Sequence, residues 1–454
     1  MRSVAVVGAG LTGLVAARAL SSAGALVTLL EASNRVGGQL HTIGIASRSV
    51  DVGAQAVHAS ALRPLELIDE VGLSEQLVAA APGTTWIWNE RTLRPLPDGV
   101  GPAGPTSLRS MLGSRLLSPL GALRAGMEPL LPRTVVTEDM AVGNFLDRRF
   151  GSQVTDRVVD PLLGGLHCGD VRRLSLRSAT PQLAATADRH RSLVLRRRPR
   201  GPSGFIALRG GMGVLAQRLA AELRDVDLRL DTAACSLESR GPHTRVHLST
   251  GGSVDVDAVI VSTPANAAAR LVAASSPRAA TALRGLRAAS VAVCILAYPR
   301  AVADLPALRG TGMLVPSTTG RLLKSATFLA TKWPHLATQD RVLIRASTGR
   351  VGDARANTLD DDDLVQRLHA ELAEATGLTT DPVEAHVHRW PSTMPQLEVG
   401  HRRRLDIAVT ALAEDLPCVL LAGAPYDGPG IAACVGAASH ATDHVLDLLH
   451  KAGT

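Results

Sequence analysis

The first thirty residues alternate two apolar runs with one helical stretch. Residues 4–7 and 26–30 are dominated by Val and Leu, as is typical of strands buried on both faces of a parallel sheet. Residues 11–23 between them have helical spacing, and Gly24 follows where a helix commonly ends. The pattern predicts a right-handed βαβ unit within about 30 residues.

Strand and helix patterns continue along the chain. We predict one or two amphipathic helices over 61–80, loops with short helices over the Pro- and Gly-rich residues 82–135, and a helical region over 139–160. Further on we predict a helix over 212–224, strands at 226–230, 244–249 and 258–262, several strands after about 280, a helix over 360–377, and a strand–turn–helix tail over 418–450. The alternation of short strands with helices indicates the α/β class.

Composition narrows the classes of function. The 454 residues carry a net charge of +7, only 4 Phe, 4 Trp and 2 Tyr, and three lysines among 48 basic residues. So few aromatic residues argue against base-stacking platforms, and we expect no nucleic-acid partner. The five cysteines are scattered and never spaced as a zinc site, so we expect no metal and a reducing, cytoplasmic location. We also expect no signal peptide and no membrane-spanning helix.

A glycine motif lies between the first strand and the first helix. Gly8-Ala9-Gly10-Leu11-Thr12-Gly13 has the spacing of the dinucleotide fingerprint, and the acidic Glu31 follows the next strand. In this motif the first glycine permits the turn, the second lets a pyrophosphate approach the backbone, and the third lets the helix pack on the strand. The phosphates lie on free N–H groups of the helix, and the acidic residue accepts ribose hydroxyls. The motif predicts a dinucleotide site.

Three segments favour a flavin over a nicotinamide. They resemble the amine-oxidase-like FAD superfamily: Glu31-Ala32-x-x-Arg35-x-Gly37-Gly38-Gln39, Val50-Asp51-Val52-Gly53-Ala54, and Leu421-Ala422-Gly423-Ala424 followed by Gly430-Ile431. The resemblance implies that the last helix points its N-terminus at the flavin ring, where its dipole stabilises the reduced anion.

Further segments resemble the oxygen-dependent protoporphyrinogen and coproporphyrinogen oxidases of haem synthesis. The matching stretches, in chain order, are 65–73, 160–165, 169–170, 174–177, 179–183, 210–212, 326–328, 332–334, 389–391, 395–396, 400–401 and 426–431. The resemblance implies an FAD-dependent oxidase that converts coproporphyrinogen III to coproporphyrin III and reduces three dioxygen molecules to hydrogen peroxide. Protoporphyrinogen IX, or the substrate of a flavin amine oxidase or desaturase, remains an alternative.

The resemblance implies site residues, with no side chain assigned as a catalytic base. The cofactor-binding set is Gly8, Ala9, Gly10, Leu11, Thr12, Gly13, Glu31, Ala32, Arg35, Gly38, Gln39, Gly53, Ala54, Gln55, Ala56, Ala234, Trp390, Gly423, Asp427, Pro429, Gly430 and Ile431. For Asp427 a turn-forming role remains the alternative to ribityl binding. The candidate substrate-binding residues are Arg177, Arg345, Arg350 and His167, the arginines as partners for carboxylates.

The chain also departs from the family. The family carries a basic stretch after the position of Val57, whereas this chain reads His58-Ala59-Ser60-Ala61-Leu62. His167-Cys168 stands where the family commonly has an aromatic residue and Ala, and Gln39 stands for a basic residue. These changes leave the expected FAD site intact and distinguish the expected substrate site from the family pattern.

The family fold implies a discontinuous domain organisation. We expect a Rossmann-like FAD-binding domain from residues 1–60, 204–270 and 395–454, a helical substrate insertion over 61–203, and a substrate-binding sheet domain over 271–394. Arginines cluster at 189–200, which together with the Pro- and Gly-rich regions leaves open a peripheral membrane contact. A homodimer is also left open.

Overall fold

The computed structural model describes residues 2–90, 92–195 and 204–451. Its strands are β1 (Ser3–Val7), β2 (Leu26–Leu30), β3 (Thr42–Ile45), β4 (Arg48–Asp51), β5 (Val57–His58), β6 (Leu77–Ala79), β7 (Thr85–Asn89), β8 (Thr92–Pro95), β9 (Val100–Gly101), β10 (Gly104–Pro105), β11 (Phe205–Leu208), β12 (Val226–Arg229), β13 (Ala234–Arg240), β14 (His243–Leu248), β15 (Ser253–Val256), β16 (Ala258–Val261), β17 (Ala288–Pro299), β18 (Gly312–Leu314), β19 (Leu323–Phe328), β20 (Arg341–Thr348), β21 (Glu384–Pro395) and β22 (Val419–Leu421).

The helices are distributed along the whole chain. They are α1 (Leu11–Ser22), α2 (Leu62–Glu70), α3 (Leu108–Gly113), α4 (Pro119–Gly126), α5 (Val142–Phe150), α6 (Ser152–Val154), α7 (Asp160–His167), α8 (Leu176–Ala179), α9 (Pro181–Arg189), α10 (Gly213–Glu222), α11 (Ala265–Leu271), α12 (Pro277–Arg284), α13 (Leu329–Lys332), α14 (Arg355–Thr358), α15 (Asp361–Thr376), α16 (His401–Asp415), α17 (Ala424–Asp427) and α18 (Ile431–Lys451). A π-helical turn, Thr155–Val159, joins α6 to α7.

Five parallel strands from distant parts of the chain form one sheet, in the order β12-β2-β1-β16-β22. Val6 in β1 lies between Leu29 and Ile260 in one buried apolar core, and the next residue, Val7, lies in a second buried apolar core on the opposite face. Both faces are therefore apolar, as the continuous runs predicted. The strands and the helix of the first βαβ unit are confirmed. The predicted α/β class is correct.

The helices α1 and α10 share a core with the C-terminal helix α18. Leu14, Leu20, Leu215 and Val445 are fully or almost fully buried in this core. Apolar side chains at helical spacing thus hold the end of the chain against its beginning. This packing brings the predicted C-terminal flavin motif to the sheet that carries the glycine motif.

A second, seven-stranded sheet has the order β21-β17-β20-β19-β18-β7-β8. Its pairs are antiparallel except for β18 with β7. Residues 271–394 supply five strands, and β7 with β8 comes from the segment expected to be a helical insertion. The sequence prediction missed β7 and β8 because proline and glycine nearby indicated loops. Trp88 is fully buried, with the Arg321 guanidinium 3.5 Å from its ring centroid.

The predicted helical stretch over 61–80 is only partly helical. The helix α2 ends at Glu70, Gly72 follows in the left-handed region, and β6 pairs with β11. The prediction was wrong for residues 77–79 because their pairing partner lies more than 120 residues away along the chain.

Helices α3 to α9 pack around their own apolar core, and a buried ion pair joins them. Arg149 and Glu128 are 2% and 0% exposed, and the Arg149 guanidinium also donates to the carbonyls of Pro132 and Arg191. No helix among the described residues is long and apolar enough to cross a membrane. The basic residues 196–200 of the predicted arginine cluster lie outside the described residues.

Candidate functional site

The glycine motif forms a tight turn between β1 and α1. Gly8 has a φ of +101°, in the left-handed region that glycine tolerates. A Cβ on Gly13 would lie 1.9 Å from the carbonyl oxygen of Gly8, so this position has no room for a side chain. A Cβ on Gly10 would meet no protein atom within 4 Å. The open position is therefore the one where a pyrophosphate must approach the backbone.

The N-terminus of α1 lacks a side-chain cap. Its N-cap residue is Gly10, and the first turn contains no acidic residue. The free amide groups and the positive end of the helix dipole are thus available to an anion. Together with the open space at Gly10, this arrangement fits the phosphates of a dinucleotide.

Glu31 is held at the carboxyl end of β2. One carboxylate oxygen accepts a hydrogen bond from the Ala9 amide at 2.8 Å, and the other accepts from the Ser33 hydroxyl at 2.7 Å. The oxygen bonded to the Ser33 hydroxyl also accepts from the Ser33 amide at 3.0 Å, so it is the oxygen bonded to Ala9 that keeps a second acceptor site for a ribose hydroxyl. The segment before Ala234 pairs with the same turn, since Thr232 donates its amide to the Glu31 carbonyl at 2.8 Å.

A second glycine pair lies against the first. The Gly37 amide donates to the Ala9 carbonyl at 2.7 Å, and a Cβ on Gly38 would lie 3.1 Å from the Gly10 Cα. The Arg35 guanidinium donates to the carbonyls of Val36 and Gly38. Arg35 thus fastens this loop and adds a positive charge near the open space.

The turn after β4 meets the edge strand β21. A Cβ on Gly53 would lie 1.9 Å from the Gln39 carbonyl oxygen and 3.3 Å from Trp390. Trp390 donates its indole N–H to the Val52 carbonyl at 2.9 Å, and the Gln39 amide group donates to Thr393. The structure thus brings Gln39, Gly53 and Trp390 together from three distant segments.

The C-terminal motif approaches α1 from the other side. Gly423 has a φ of +118°, and a Cβ there would lie 3.3 Å from the Thr12 hydroxyl. Asp427 accepts a hydrogen bond from the Gly423 amide at 2.9 Å, which is the turn-forming contact weighed above. Gly430 has a φ of +108° and open space at its Cβ position, directly before Ile431 begins α18.

Some cofactor candidates have less definite surroundings. Gln55 lies with Asp51 and Trp333 around a small cavity of about 20 Å³. Ala32 follows β2, Ala56 precedes β5, and Pro429 lies between two glycines of positive φ. Their roles as cofactor contacts stay predictions.

The four candidate substrate residues lie in different surroundings. Arg345 on β20 donates to the carbonyls of Asp51 and Gly53, each at 3.0 Å, so it binds the turn next to Trp390. Arg350 donates to the Val315 carbonyl, and its Nη1 is buried with no hydrogen-bond partner in the described chain. Arg177 is 46% exposed and faces Asp188.

His167 ends α7 and is 6% exposed. Burial lowers the pKa of His167 to about 4, and its Nδ1 has no hydrogen-bond partner in the described part of the chain. Its carbonyl accepts a hydrogen bond from Gln396 at 2.8 Å. A role for His167 in substrate binding stays a prediction.

The sequence analysis missed two features near these residues. Lys324 on β19 is buried and its Nζ lies 2.7 Å from the Cys168 Sγ. The sequence signal that could have revealed it was Lys324 itself, a lysine at an inward-facing position of a largely apolar strand. Also missed was a cluster of rings in which the centroid of His388 lies 4.8 Å from that of His41, edge to face, and 4.3 Å from that of Trp390, at a tilt. Burial is the main cause that lowers the pKa of His388 to about 4.

These features fit the phosphates and a ribose of a dinucleotide. Gly10 and Gly430 each have open space at the Cβ position and directly precede α1 and α18, which share one core, and the Glu31 carboxylate has acceptor capacity left. In the described residues no group of three or more His, Cys, Asp or Glu side chains is placed to hold a metal ion.

Known proteins resemble the chain over its full length. The family model for flavin containing amine oxidoreductase matches residues 11–446. Coproporphyrinogen III oxidase of Mycobacterium bovis is 36% identical, and the alignment covers 99% of this chain and 98% of that protein. The enzyme of that name from Bacillus subtilis is 30% identical with the same coverage. A crystal structure from Exiguobacterium sp. 255-15, provisionally described as a protoporphyrinogen oxidase, matches with a TM-score of 0.88 and 26% identity over 98% of both chains.

Proposed function

Because this chain belongs to the flavin containing amine oxidoreductase family, we propose that it is an FAD-dependent oxidase that converts coproporphyrinogen III to coproporphyrin III in haem synthesis. The observation that carries the proposal is the full-length match to relatives of that name. Protoporphyrinogen IX is the close alternative, since the similar solved structure carries the related name.

The family membership establishes a flavin, and the geometry favours FAD as its form. A flavin mononucleotide has one phosphate and no ribose ring, so it would leave the free acceptor site of Glu31 without a ligand hydroxyl. The glycine turn, the uncapped N-terminus of α1 and Glu31 together fit a pyrophosphate and an adenosine ribose. FAD is therefore the flavin that uses all three features.

The residues of this chain bind the flavin and the substrate and orient them. The flavin, when bound, accepts the two electrons of each oxidation step. Gly10 leaves space for phosphate, and Glu31 holds the ribose. Arg345 donates to two carbonyls of the turn at Gly53 and so would keep this backbone in place when a flavin binds. Oxidation of a porphyrinogen ends in an aromatic macrocycle, so no strong side-chain base is needed.

The arrangement of aromatic residues favours a porphyrinogen over an amine. An amine oxidase needs aromatic rings around the flavin. In this chain several of the few aromatic side chains are buried in the cores instead. Phe145 and Phe150 are buried in the helical core, and Tyr298 is fully buried in the seven-stranded sheet. The buried Nη1 of Arg350 has no hydrogen-bond partner among the described residues and can donate to a carboxylate of a porphyrinogen.

The test is direct oxidation by the purified flavoprotein. Coproporphyrinogen III, protoporphyrinogen IX and a panel of amines are incubated with it in air, and porphyrin fluorescence and peroxide are followed. We expect fluorescence to rise fastest with coproporphyrinogen III, above the autoxidation of a blank without protein. Faster turnover of protoporphyrinogen IX would make that compound the preferred substrate in place of coproporphyrinogen III. Peroxide formed with an amine alone would refute the porphyrinogen function.

We also propose a peripheral membrane contact for a protein of the cytoplasm. The side chains of Leu120, Leu123 and Leu130 on α4 and the turn after it are 79%, 68% and 74% exposed. Arg109, Arg115 and Arg133 lie in the same stretch. Exposed leucines flanked by arginines suit the interface of an anionic lipid bilayer. A homodimer stays a prediction.

Vesicle sedimentation tests the membrane contact. The protein should sediment with anionic phosphatidylglycerol vesicles and less with neutral phosphatidylcholine vesicles. A double substitution, Leu120→Asp with Leu123→Asp, should abolish the binding, whereas Val409→Asp on the exposed face of α16 should retain it. Equal binding by both variants would show that α4 is not the contact.

A further inference from the structure

Lys324 and Cys168 form a buried pair that the proposed function does not use. Their exposed fractions are 4% and 2%, and the Nζ–Sγ distance is 2.7 Å. This is short for a contact to sulfur, whose atomic radius exceeds that of oxygen. An amine and a thiol, both chemically reactive, are thus held in direct contact and away from bulk water.

Hydrogen bonds fix the backbone of both Cys168 and Lys324. Cys168 follows α7 with a φ of +52°, its amide donates to the Gly164 carbonyl, and its own carbonyl accepts from Val351 at 2.8 Å. A left-handed conformation is unfavourable for a non-glycine residue, so the surrounding contacts must enforce it. Lys324 lies where the register of β19 against β20 shifts, and its carbonyl accepts from Val315 at 3.0 Å. The fold itself therefore sets the distance.

The surroundings favour a reactive amine. Burial lowers the pKa of Lys324, the charges of Arg350 and Arg345 lower it further, and the interaction with Cys168 opposes them. A lysine with a lowered pKa spends more time as the neutral amine, which has a free electron pair. The amine and the neighbouring sulfur can then both be oxidised.

We propose that hydrogen peroxide converts Cys168 and Lys324 into a covalent cross-link in which one oxygen atom joins Sγ to Nζ. A flavin oxidase releases peroxide when dioxygen takes up its electrons, so the oxidant forms inside the same protein. The cross-link is a modification separate from the proposed substrate, and peroxide added from outside can form it as well.

The chemistry proceeds in two balanced steps. In the first, the O–O bond of peroxide breaks, an S–O bond forms on Cys168, and a sulfenic acid and one water result. In the second, another peroxide takes two electrons, an N–O bond forms between the Lys324 amine and the sulfenic oxygen, and two waters carry away the displaced hydrogens. Thiol, amine and two peroxides thus give the S–O–N bridge and three waters.

The bridge has a structural consequence. It ties the end of α7 to β19 and converts the Lys324 amine, beside Arg345 and Arg350, into a much less basic N–O nitrogen. The reduced and oxidised proteins therefore differ in whether this nitrogen can bind a proton. A thiol reductant in excess reverses the change: it attacks the sulfur and breaks the S–O bond, and four thiols in all give back the Cys168 thiol and the Lys324 amine with two disulfides and one water.

Peptide mass spectrometry of the full-length flavoprotein tests the proposal. After peroxide treatment, trypsin should yield residues 158–172 joined to residues 322–332, because cleavage after a modified Lys324 fails. The joined peptide should weigh about 14 Da more than the sum of its parts, and dithiothreitol should release the two peptides.

Matched variants control the assignment. Cys168→Ser and Lys324→Leu should each lose the joined peptide, whereas Cys294→Ser, which changes another buried cysteine, should retain it. The proposal is wrong if wild-type Cys168 gains only about 16, 32 or 48 Da without a link to Lys324, or if neither peptide changes. If a variant does not fold, the wild-type peptide map still decides.

Discussion

At the scale of single residues, the glycine turn requires glycine at two positions for different physical reasons. Gly13 has no side chain because the Gly8 carbonyl oxygen occupies the space, which is a demand of the fold itself. Gly10 borders open space, which is a demand of the ligand. The two positions can therefore be separated by substitution.

Gly10→Val should give a folded protein without flavin. The Cβ position is free of protein atoms, so the chain can fold, while the added methyl groups occupy the place of the pyrophosphate. The absorbance of the purified protein measures bound flavin, and circular dichroism measures folding. Gly44→Val, at an exposed strand position with the same open space, should remain yellow. A yellow Gly10→Val protein would contradict the assignment of this turn.

His167 should make the fold sensitive to acid. Its pKa falls from 6.5 to about 4 on folding, so between these values the unfolded chain binds a proton that the folded chain does not. Stability is therefore complete above pH 6.5 and is lost as the pH falls toward 4, by up to about 3 kcal/mol from this one group. Urea denaturation of wild type and His167→Gln over this range measures the effect. The variant should lose less stability on acidification, and parallel losses would show that His167 does not contribute.

At the scale of elements, local signals determined where helices begin and end. Four consecutive aspartates predicted the start of α15, and the structure confirms it: Asp360 is the N-cap and accepts a hydrogen bond from the Asp363 amide at 2.8 Å. Gly377 ends the helix with a φ of +80°. Both contacts lie within four residues of the helix end, which is why the sequence was sufficient.

Asp360→Ala should destabilise the protein by about 1 kcal/mol, because the Asp363 amide loses its acceptor. Asp362→Ala, in the same first turn, removes a similar charge and no cap, and should cost less. The free energies of unfolding from urea titration measure both. Equal losses would assign the effect to the helix dipole instead of the hydrogen bond.

At the scale of the whole molecule, the turn that follows the β3-β4 hairpin meets the seven-stranded sheet around Gly53. Arg345 and Trp390, both on the seven-stranded sheet, donate hydrogen bonds to carbonyls of residues 51–53. This contact joins the expected FAD-binding and substrate regions. Arg345 was predicted to bind substrate, and its geometry adds a second role in positioning this turn.

Arg345→Gln should weaken flavin binding by up to about thirtyfold, since it removes two hydrogen bonds of about 1 kcal/mol each that hold the turn at Gly53. Arg341→Gln on the same strand, whose side chain faces Asp340 at the surface, should leave flavin binding unchanged. Flavin released on ultrafiltration measures the dissociation constant. Unchanged flavin binding with a raised KM for the porphyrinogen would assign Arg345 to the substrate alone.

Local pattern alone determined the βαβ unit, the glycine turn with Glu31 and the capped helix α15, because the forces that define them act between residues close in the chain. Residues 77–79 and β7 escaped prediction because their strand partners lie far along the chain. Only the tertiary structure decided that Arg345 reaches the Gly53 carbonyl and that Lys324 lies against Cys168, separated by 156 residues. Such contacts depend on how whole sheets and helices pack, and that packing leaves no periodic signal in the sequence.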